Sequence, residues 1–316
     1  MSTVAADRTV AVAKYHGTGN DFVVVDADEP VADRRAFASR VCDRTDGLGA
    51  DGVLFLALES QFTPPRVVMT LVQPDGSTAP MCGNGARCAA AWAMARTGEN
   101  SVMIDTQAGS RRAERIEPAS EGSGTVDESR ISVEMGRPSF EPATVPVSAD
   151  DPIVDRPLAD LGIEPDGMDV EAATLTATAV NTGVPHVVAF VDDVDSVDLS
   201  RLGPAVRHAE AFPRGTNLTV ASPDRDRAND DRPAFRQRTY ERGVEAETAA
   251  CGTGAVAIAT AAIETGRIDE ASSILVRPPG GDLSVDFDDL GRAVLAGPVV
   301  REFETQVSVQ RAGSDR

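Results

Sequence analysis

Two stretches of the chain share one pattern of hydrophobic and polar positions, a glycine turn followed by a run of apolar residues. The first covers residues 17–26 and the second covers residues 181–192. A glycine turn that leads into β-branched residues is typical of a turn and then a buried strand. We therefore predict this pair of elements at both places.

A second shared pattern follows each of these stretches, Cys-Gly-x-Gly-Ala running directly into an Ala-rich segment. It occupies residues 81–93 and residues 250–262. Neither Ala-rich segment has a polar face, and a helix that is apolar all round is a buried one. Two motifs repeated in the same order and at nearly the same spacing indicate two homologous halves, each with strands around one central helix.

The domain boundary is predicted in the region 140–155, where Pro138, Pro142, Pro146 and Pro152 cluster. We assign residues 1–147 to the first half, which carries Cys82, and residues 148–299 to the second half, which carries Cys251. A final strand at about 300–312 is expected to cross back to the first half. A chain of 316 residues is long enough for two such cores.

Composition narrows the class of protein. A hydrophobic content of 41% suits a globular enzyme, and the apolar runs are far shorter than the ~20 residues of a membrane span. The first ten residues lack a basic segment followed by an apolar one, so we expect no secretory signal and a cytoplasmic protein. A net charge of -20 argues against nucleic acid and anionic membranes as partners.

Basic residues are almost all arginine, and Lys14 is the single lysine. An acidic, lysine-poor chain suggests adaptation to a salty cytoplasm, and a GC-rich genome that favours arginine codons is the alternative. A pyridoxal-phosphate enzyme needs a Schiff-base lysine, and we interpret Lys14 as a surface residue without a catalytic role. We therefore expect no cofactor.

The four cysteines are too few for a disulfide scaffold, and Cys82 and Cys88 do not have the spacing of zinc ligands. We expect no metal, and we interpret Cys42 and Cys88 as structural. Cys82 and Cys251 each precede a helix, where the dipole lowers the pKa of a thiol and backbone N–H groups can bind a carboxylate. Two such sites allow one thiolate to remove an α-proton while the opposite thiol returns one.

The sequence resembles the diaminopimelate epimerase family over nearly the whole chain. The matching segments are residues 14–22, residues 75–88, residues 183–186 and residues 240–254. The resemblance implies an isomerase that interconverts LL- and meso-2,6-diaminoheptanedioate for lysine synthesis, acting as a homodimer. It also implies an α+β fold of two pseudo-symmetric domains, each a mostly antiparallel, β-barrel-like sheet around a central helix.

Site residues follow from the same resemblance. Cys82 and Cys251 would be the catalytic acid and base, and His186 and Glu241 would adjust the pKa values of these thiols. The substrate-binding set would be Asn20, Gln73, Gly83, Asn84, Asn217, Glu241, Arg242, Gly252 and Thr253. An arginine such as Arg242 suits a second carboxylate because its guanidinium can bind both oxygens.

Three positions depart from the family pattern. Gln73 stands where an asparagine is usual, Val184 replaces an asparagine, and Gly52 replaces a glutamine found in some members. Each change lengthens or removes an amide that could contact the substrate.

Other functions are compatible with parts of this pattern. A proline or hydroxyproline racemase of the same superfamily would keep both cysteines, whereas a phenazine-biosynthesis-like isomerase would lack them. A non-catalytic amino-acid binding protein would not need the thiols, and a thiol-redox protein would favour a C-x-x-C motif. Residues 252–257 also match a G-x-G-x-x-A dinucleotide fingerprint, but the preceding cysteine and the twin motif in the first half argue against nucleotide binding.

Overall fold

The computed structural model describes residues 8–117, 127–163, 175–229, 232–269 and 273–309. The chain divides into two compact units, of which the first ends at Val133 and resumes at Pro298, and the second is Glu134–Gly297. Within the described residues, no helix is both long enough and apolar enough to cross a membrane.

The boundary lies before the proline-rich region rather than at 147/148. Residues 134–147 belong to the second unit because Ser139 pairs with Asn181 and the Val145 side chain is buried in that unit's core. The prolines therefore mark a loop on the second unit and not a linker.

The strands and helices of the first unit are β1 (Arg8–Gly17), β2 (Asn20–Asp26), α1 (Arg34–Val41), β3 (Gly52–Glu59), β4 (Arg66–Val72), β5 (Thr78–Ala79), α2 (Gly83–Thr97), β6 (Ser101–Thr106), β7 (Gly109–Glu117) and most of β8 (Asp127–Gly136). β1 and β2 are antiparallel, β2 and β3 parallel, and β3 and β4 antiparallel. β4 then runs parallel to β6. β6 pairs with β7 and β7 pairs with β8, both antiparallel.

The strands and helices of the second unit are β9 (Arg156–Pro157), β10 (Thr176–Asn181), β11 (Pro185–Phe190), α3 (Leu199–Arg207), β12 (Asn217–Pro223), β13 (Ala234–Glu241), β14 (Ala246–Thr248), α4 (Gly252–Glu264), β15 (Ile274–Arg277), β16 (Leu283–Phe287) and the start of β17 (Ala293–Val309). Its pairs repeat the order of the first unit: β10 and β11 antiparallel, β11 and β12 parallel, β12 and β13 antiparallel, β13 and β15 parallel. β15 pairs with β16 and β16 pairs with β17, both antiparallel. The internal repeat seen in the sequence is thus a repeat of topology.

Each unit surrounds one helix with strands. Residues of α2 from Gly83 to Met94 are all buried, and this helix packs against β1, β2, β3, β4, β6 and β7. The α4 helix packs against β10, β11, β12, β13, β15 and β16 in the same way. The predicted α+β class, with a mostly antiparallel, barrel-like sheet around each central helix, is confirmed.

Strands β2 and β11 are buried on both faces, as their continuous apolar runs predicted. On the face away from α2, Val23 and Val25 pack with Phe37 and Val41 of α1. In the second unit, α3 packs against β12, β13 and β14, and its buried side chains share one apolar cluster with Val187 and Ala189 of β11. Each glycine turn is hydrogen-bonded to the start of the central helix of its own unit, because Thr18 Oγ1 donates to Asn84 Oδ1 and Thr182 Oγ1 donates to the Thr253 carbonyl.

The last strand, β17, begins in the second unit beside β16 and later pairs with β1 of the first unit. The chain therefore returns to the first unit at its end. The predicted strand extended to 312, and residues 310–312 lie outside the described residues.

Candidate active site

Cys82 caps the start of α2. Its backbone is extended, with φ −144° and ψ 118°, and its sulfur accepts the N–H of Gly85 at 3.4 Å. The Ala86 N–H donates to the Cys82 carbonyl at 2.8 Å, which closes the first turn of the helix. A half-buried thiol therefore stands at the positive end of a buried helix.

Asn84 ties the start of α2 to the turn between β1 and β2. Its Oδ1 accepts from Thr18 Oγ1 at 3.2 Å and from Arg87 Nη2 at 2.8 Å, and its Nδ2 donates to Asn20 Oδ1. The turn exists because Thr18 and Gly19 both have positive φ, 50° and 84°. The structure thus brings together Asn20 and Asn84, two of the predicted substrate-binding amides.

Arg87 is a member of this cluster that the sequence analysis missed. It is fully buried, and its Nη2 also donates to Thr18 Oγ1 at 2.5 Å. Its Nε and Nη1 have no hydrogen-bond partner among the described residues. Burial lowers the pKa of Arg87 to about 10. The signal that could have found it is a charged residue inside an otherwise apolar helix.

Lys14 belongs to an ion-pair cluster on the other side of Asn20. Asn20 Nδ2 donates to Asp51 Oδ2 at 3.0 Å, and Lys14 Nζ donates to Asp21 Oδ2 at 2.6 Å. Burial raises the pKa of Asp21, but hydrogen bonds from Arg44 and Lys14 outweigh it and hold this pKa at about 2. Lys14 is only 3% exposed, so its interpretation as a surface lysine is wrong.

Gln73 follows β4, and its Oε1 accepts from Ser77 Oγ at 2.7 Å. In the first unit Val53 of β3 pairs with Val72 of β4, and in the second unit Leu218 of β12 pairs with Tyr240 of β13 in the same way. Gln73 follows Val72 and Glu241 follows Tyr240. Gln73 and Glu241 therefore occupy equivalent positions in the two halves of the repeat.

Cys251 caps the start of α4 and is buried, with φ −127° and ψ 104°. Burial raises the pKa of its thiol well above the ordinary value, and the charge of Glu241 raises it further. A hydrogen bond from Thr253 acts in the opposite direction. The backbone N–H of Gly254, at the start of the helix, also lowers this pKa, but the loss of water on burial outweighs it.

Glu241 and Arg242 follow each other at the end of β13. Glu241 Oε1 accepts from Thr248 Oγ1, and burial raises the pKa of the Glu241 carboxyl. Arg242 Nη1 donates to the carbonyl oxygens of Arg214 at 3.0 Å and Gly215 at 3.3 Å. These two bonds orient the guanidinium without using a carboxylate.

His186 lies at the centre of a cluster of hydrogen-bonded side chains in the second unit. The parallel pairing of β11 with β12 places it opposite Asn217. Its Nε2 lies 2.9 Å from Thr253 Oγ1 and 3.3 Å from Asn217 Nδ2, and its Nδ1 lies 3.0 Å from Thr219 Oγ1. Burial, helped by the charge of Arg242, lowers the pKa of His186 to about 3, so the ring is neutral at pH 7.

A layer of buried polar side chains under α4 was also missed, formed by Thr219, Gln237 and Thr239. A Cβ on Gly254 would come within 2.6 Å of Gln237 Nε2, so only glycine lets the helix approach this layer. Buried polar residues at alternate positions of one strand, as Gln237 and Thr239 are in β13, are the signal that could have revealed it.

Comparison with known proteins decides the family. The sequence model described as diaminopimelate epimerase matches residues 12–141 and residues 178–302. The chain belongs to the diaminopimelate epimerase family. A diaminopimelate epimerase of Methanocella arvoryzae is 37% identical over 308 residues, which are 95% of this chain and 97% of that protein. The protein is thus an epimerase, and its class is isomerase.

Several solved structures share the fold of this chain. A predicted epimerase from Pseudomonas aeruginosa has a TM-score of 0.66 and 15% identity, covering 95% of this chain and 100% of its own. A hydroxyproline epimerase from Agrobacterium vitis, solved with trans-4-hydroxy-L-proline, has a TM-score of 0.61 and 16% identity, covering 97% and 93%. At these identities the likeness concerns the fold alone.

Gly52, one of the departures from the family pattern, is the first residue of β3. Gly52 pairs with Phe22 as Asn217 pairs with His186, so Gly52 stands at the position equivalent to Asn217. A Cβ there would come within 2.7 Å of Leu71 Cδ1, so this side chain would have to move to admit a glutamine. Gly83 and Gly252, in contrast, are the first residues of α2 and α4, as the family pattern requires.

The two remaining thiols are buried. Burial raises the pKa of Cys42 to about 11 and that of Cys88 to about 12. Both side chains therefore stay protonated at neutral pH, in line with a structural role. Among the described residues, no group of three or more His, Cys, Asp or Glu side chains could hold a metal ion.

Proposed function

We propose that this epimerase interconverts LL- and meso-2,6-diaminoheptanedioate, with Cys82 and Cys251 as its two acid–base groups. The observation that carries the proposal is the repeated helix start, because each unit presents one cysteine as the cap of its buried central helix. The substrate is supported by the curated relative named diaminopimelate epimerase, which matches nearly the whole chain.

In the proposed reaction, one cysteine acts as a thiolate and removes the α-proton, so that a new S–H bond forms as the Cα–H bond breaks. The electron pair moves into the carboxylate, which becomes an enediolate. The second cysteine, a thiol, then donates its proton to the opposite face of the same carbon. Protons balance, nothing is oxidised, and the thiols exchange roles in the reverse direction.

Charge on the developing enediolate needs fixed donors. Backbone N–H groups at the start of a helix are unpaired within it, and the dipole favours negative charge there. Gly83 and Asn84 would supply such groups from α2, and Gly252 and Thr253 from α4. Donors that are already in place cost no reorganisation when the charge appears.

The second amino-acid head of the substrate would be bound by polar side chains of the predicted substrate-binding set. The Arg242 guanidinium, oriented by the carbonyls of Arg214 and Gly215, suits a carboxylate. Asn217 and Asn20 would add amide contacts, and Gln73 supplies a longer amide than is usual in the family. Proline and hydroxyproline lack this second head.

Glu241 and His186 would set the protonation of the thiols. Glu241 favours the protonated form of Cys251, so Cys251 would be the proton donor and Cys82 the base in the state described. We further infer a role in lysine biosynthesis, a cytoplasmic location and a homodimer, all of which rest on the resemblance to the family. Light scattering at micromolar concentration would test the homodimer.

Incubation in deuterated water tests the substrate. LL-diaminopimelate should give the meso form with one deuterium at the inverted α-carbon, whereas L-proline and trans-4-hydroxy-L-proline should exchange no α-proton. Inversion of either proline at a comparable rate would replace the proposal by a proline-type racemase. Absence of exchange with all three would contradict amino-acid epimerisation of these classes.

A further inference from the structure

The Thr253 hydroxyl lies between two groups of the second unit. Its oxygen is 3.4 Å from the Cys251 sulfur and 2.9 Å from His186 Nε2. A hydroxyl has a single proton to donate, so it can serve only one of these acceptors at a time. Which one it serves depends on the protons that the neighbouring groups carry.

Neighbouring groups that can only donate a hydrogen bond determine which nitrogen of the neutral His186 ring carries the proton. The backbone N–H of Arg242 donates to Asn217 Oδ1 at 2.8 Å, so the other end of this carboxamide, Nδ2, faces His186 Nε2. An amide nitrogen only donates. His186 Nε2 is therefore the bare nitrogen of the neutral ring, and Nδ1–H donates to Thr219 Oγ1.

The layer under α4 supports the same assignment. Gln237 Nε2 donates to Thr239 Oγ1 at 3.0 Å and to the Cys251 carbonyl at 3.0 Å. Thr219 Oγ1 lies 3.2 Å from Thr239 Oγ1 and can donate its own proton there. A lone pair of Thr219 is then left for His186 Nδ1–H, so the layer holds the ring in one tautomer.

We propose that Thr253 is a positioning residue whose hydroxyl turns between His186 and Cys251 as the thiol gains or loses its proton. While Cys251 is a thiol, Thr253 O–H donates to His186 Nε2. When Cys251 is a thiolate, the same O–H turns to the sulfur, and His186 Nε2 keeps the hydrogen bond from Asn217 Nδ2. Moving one hydrogen atom thus gives the thiolate a donor, and His186 Nε2 accepts a hydrogen bond in both protonation states.

This inference rests on the proposed acid–base role of Cys251, which must exist in both states during turnover. The other groups that act on the thiol are Glu241 on β13, whose charge opposes the thiolate, and the N-terminus of α4, which favours it. His186 on β11 is neutral and is itself affected by the charge of Arg242. Glu241 therefore opposes the thiolate with a fixed charge, whereas Thr253 can adapt to either state.

A pH titration of the Cys251 thiolate, followed by its ultraviolet absorbance, tests the donor. The protein carries Cys82→Ala, and the Cys82→Ala/Cys251→Ala double variant supplies the background of Cys42 and Cys88. Thr253→Val should lower the thiolate fraction at a given pH about tenfold, and Thr253→Ser should restore it. Thr260→Val, in the same helix but bonded to the Val256 carbonyl, is the matched control and should change nothing. Equal titration of the Val and Ser variants at position 253 would overturn the proposal.

Nitrogen-15 NMR spectroscopy of the imidazoles tests the rotation of the Thr253 hydroxyl. Because the chain has only three histidines, the spectrum contains few signals to assign. The His186 Nε2 resonance of the Cys82→Ala protein should move as Cys251 ionises, because it loses one of its two donors. That response should vanish in Thr253→Val. A His186 signal indifferent to Cys251 ionisation would contradict the inference even if the valine variant failed to fold. Neither titration uses a substrate, so failure of the proposed epimerisation would be seen separately.

Discussion

The side-chain oxygen of Asn217 accepts the backbone N–H of Arg242 at 2.8 Å. This bond fixes which end of the carboxamide meets His186, and it joins β12 to the residue that we propose binds the substrate's second carboxylate. The bond therefore couples the orientation of a buried imidazole to the backbone of the binding residue.

Replacing Asn217 by aspartate should put the proton of His186 on the other nitrogen. A carboxylate still accepts from Arg242 but has no N–H for His186 Nε2, and its negative charge favours the imidazolium. The pKa of His186, about 3 in the native protein, should rise by roughly one to three. Nitrogen-15 shifts against pH measure this, with Asn181→Asp in the same unit as the control. A ring that keeps its tautomer and its low pKa would show that Asn217 does not set them.

Glu241→Gln should make the Cys251 thiol more acidic. The Glu241 charge raises the pKa of Cys251, so a neutral amide lowers it and increases the thiolate fraction at a given pH, by about tenfold. The rate of alkylation by iodoacetamide in a Cys82→Ala background measures the thiolate. Glu264→Gln, at the exposed end of α4, is the matched control. Alkylation that is unchanged or slower in Glu241→Gln would contradict this role.

Arg87 should matter more for activity than for stability. Its pKa is lowered because the buried cation has lost its water, so the charge itself costs stability at neutral pH. Arg87→Met removes that charge and should leave the melting temperature equal or higher. It should also lower kcat/KM at least about tenfold, because Asn84 and Thr18 lose their donor. Full activity with a lower melting temperature would reverse the assignment.

The acidic charge should make stability depend on salt. With 50 acidic and 30 basic residues, repulsion between like charges is strong at low ionic strength and is screened when salt is added. We expect the melting temperature to rise steadily from 0.1 M to about 2 M KCl, as the Debye length falls below ~3 Å. Sucrose of matched osmolality is the control. A flat or falling curve in KCl would favour codon bias as the reason for the arginine-rich composition.

Much of the fold could be predicted from the sequence because its signals are local. The glycine turns at residues 17–19 and 181–183 lead directly into apolar runs, and the helices after Cys82 and Cys251 have no polar face. Short-range patterns of this kind determine a turn, a strand or a buried helix without knowledge of the partners.

The hydrogen-bonded clusters could not be predicted in the same way, because register brings their members together from distant positions. Thr219 is 33 positions from His186, and Thr239 is a further 20 positions along. Lys14 was predicted to lie on the surface for a related reason. A lysine is usually exposed, but an acidic partner seven positions away makes its burial possible.

The two-thiol mechanism is tested most directly by the α-proton exchange of single cysteine variants in deuterated water. With LL-diaminopimelate, the native protein and the Cys88→Ala control should form the meso isomer and incorporate one deuterium at the inverted carbon. Cys82→Ala and Cys251→Ala should each form no meso isomer, because one face of the carbon has lost its acid or base. Inversion at the native rate in either variant would contradict the central claim.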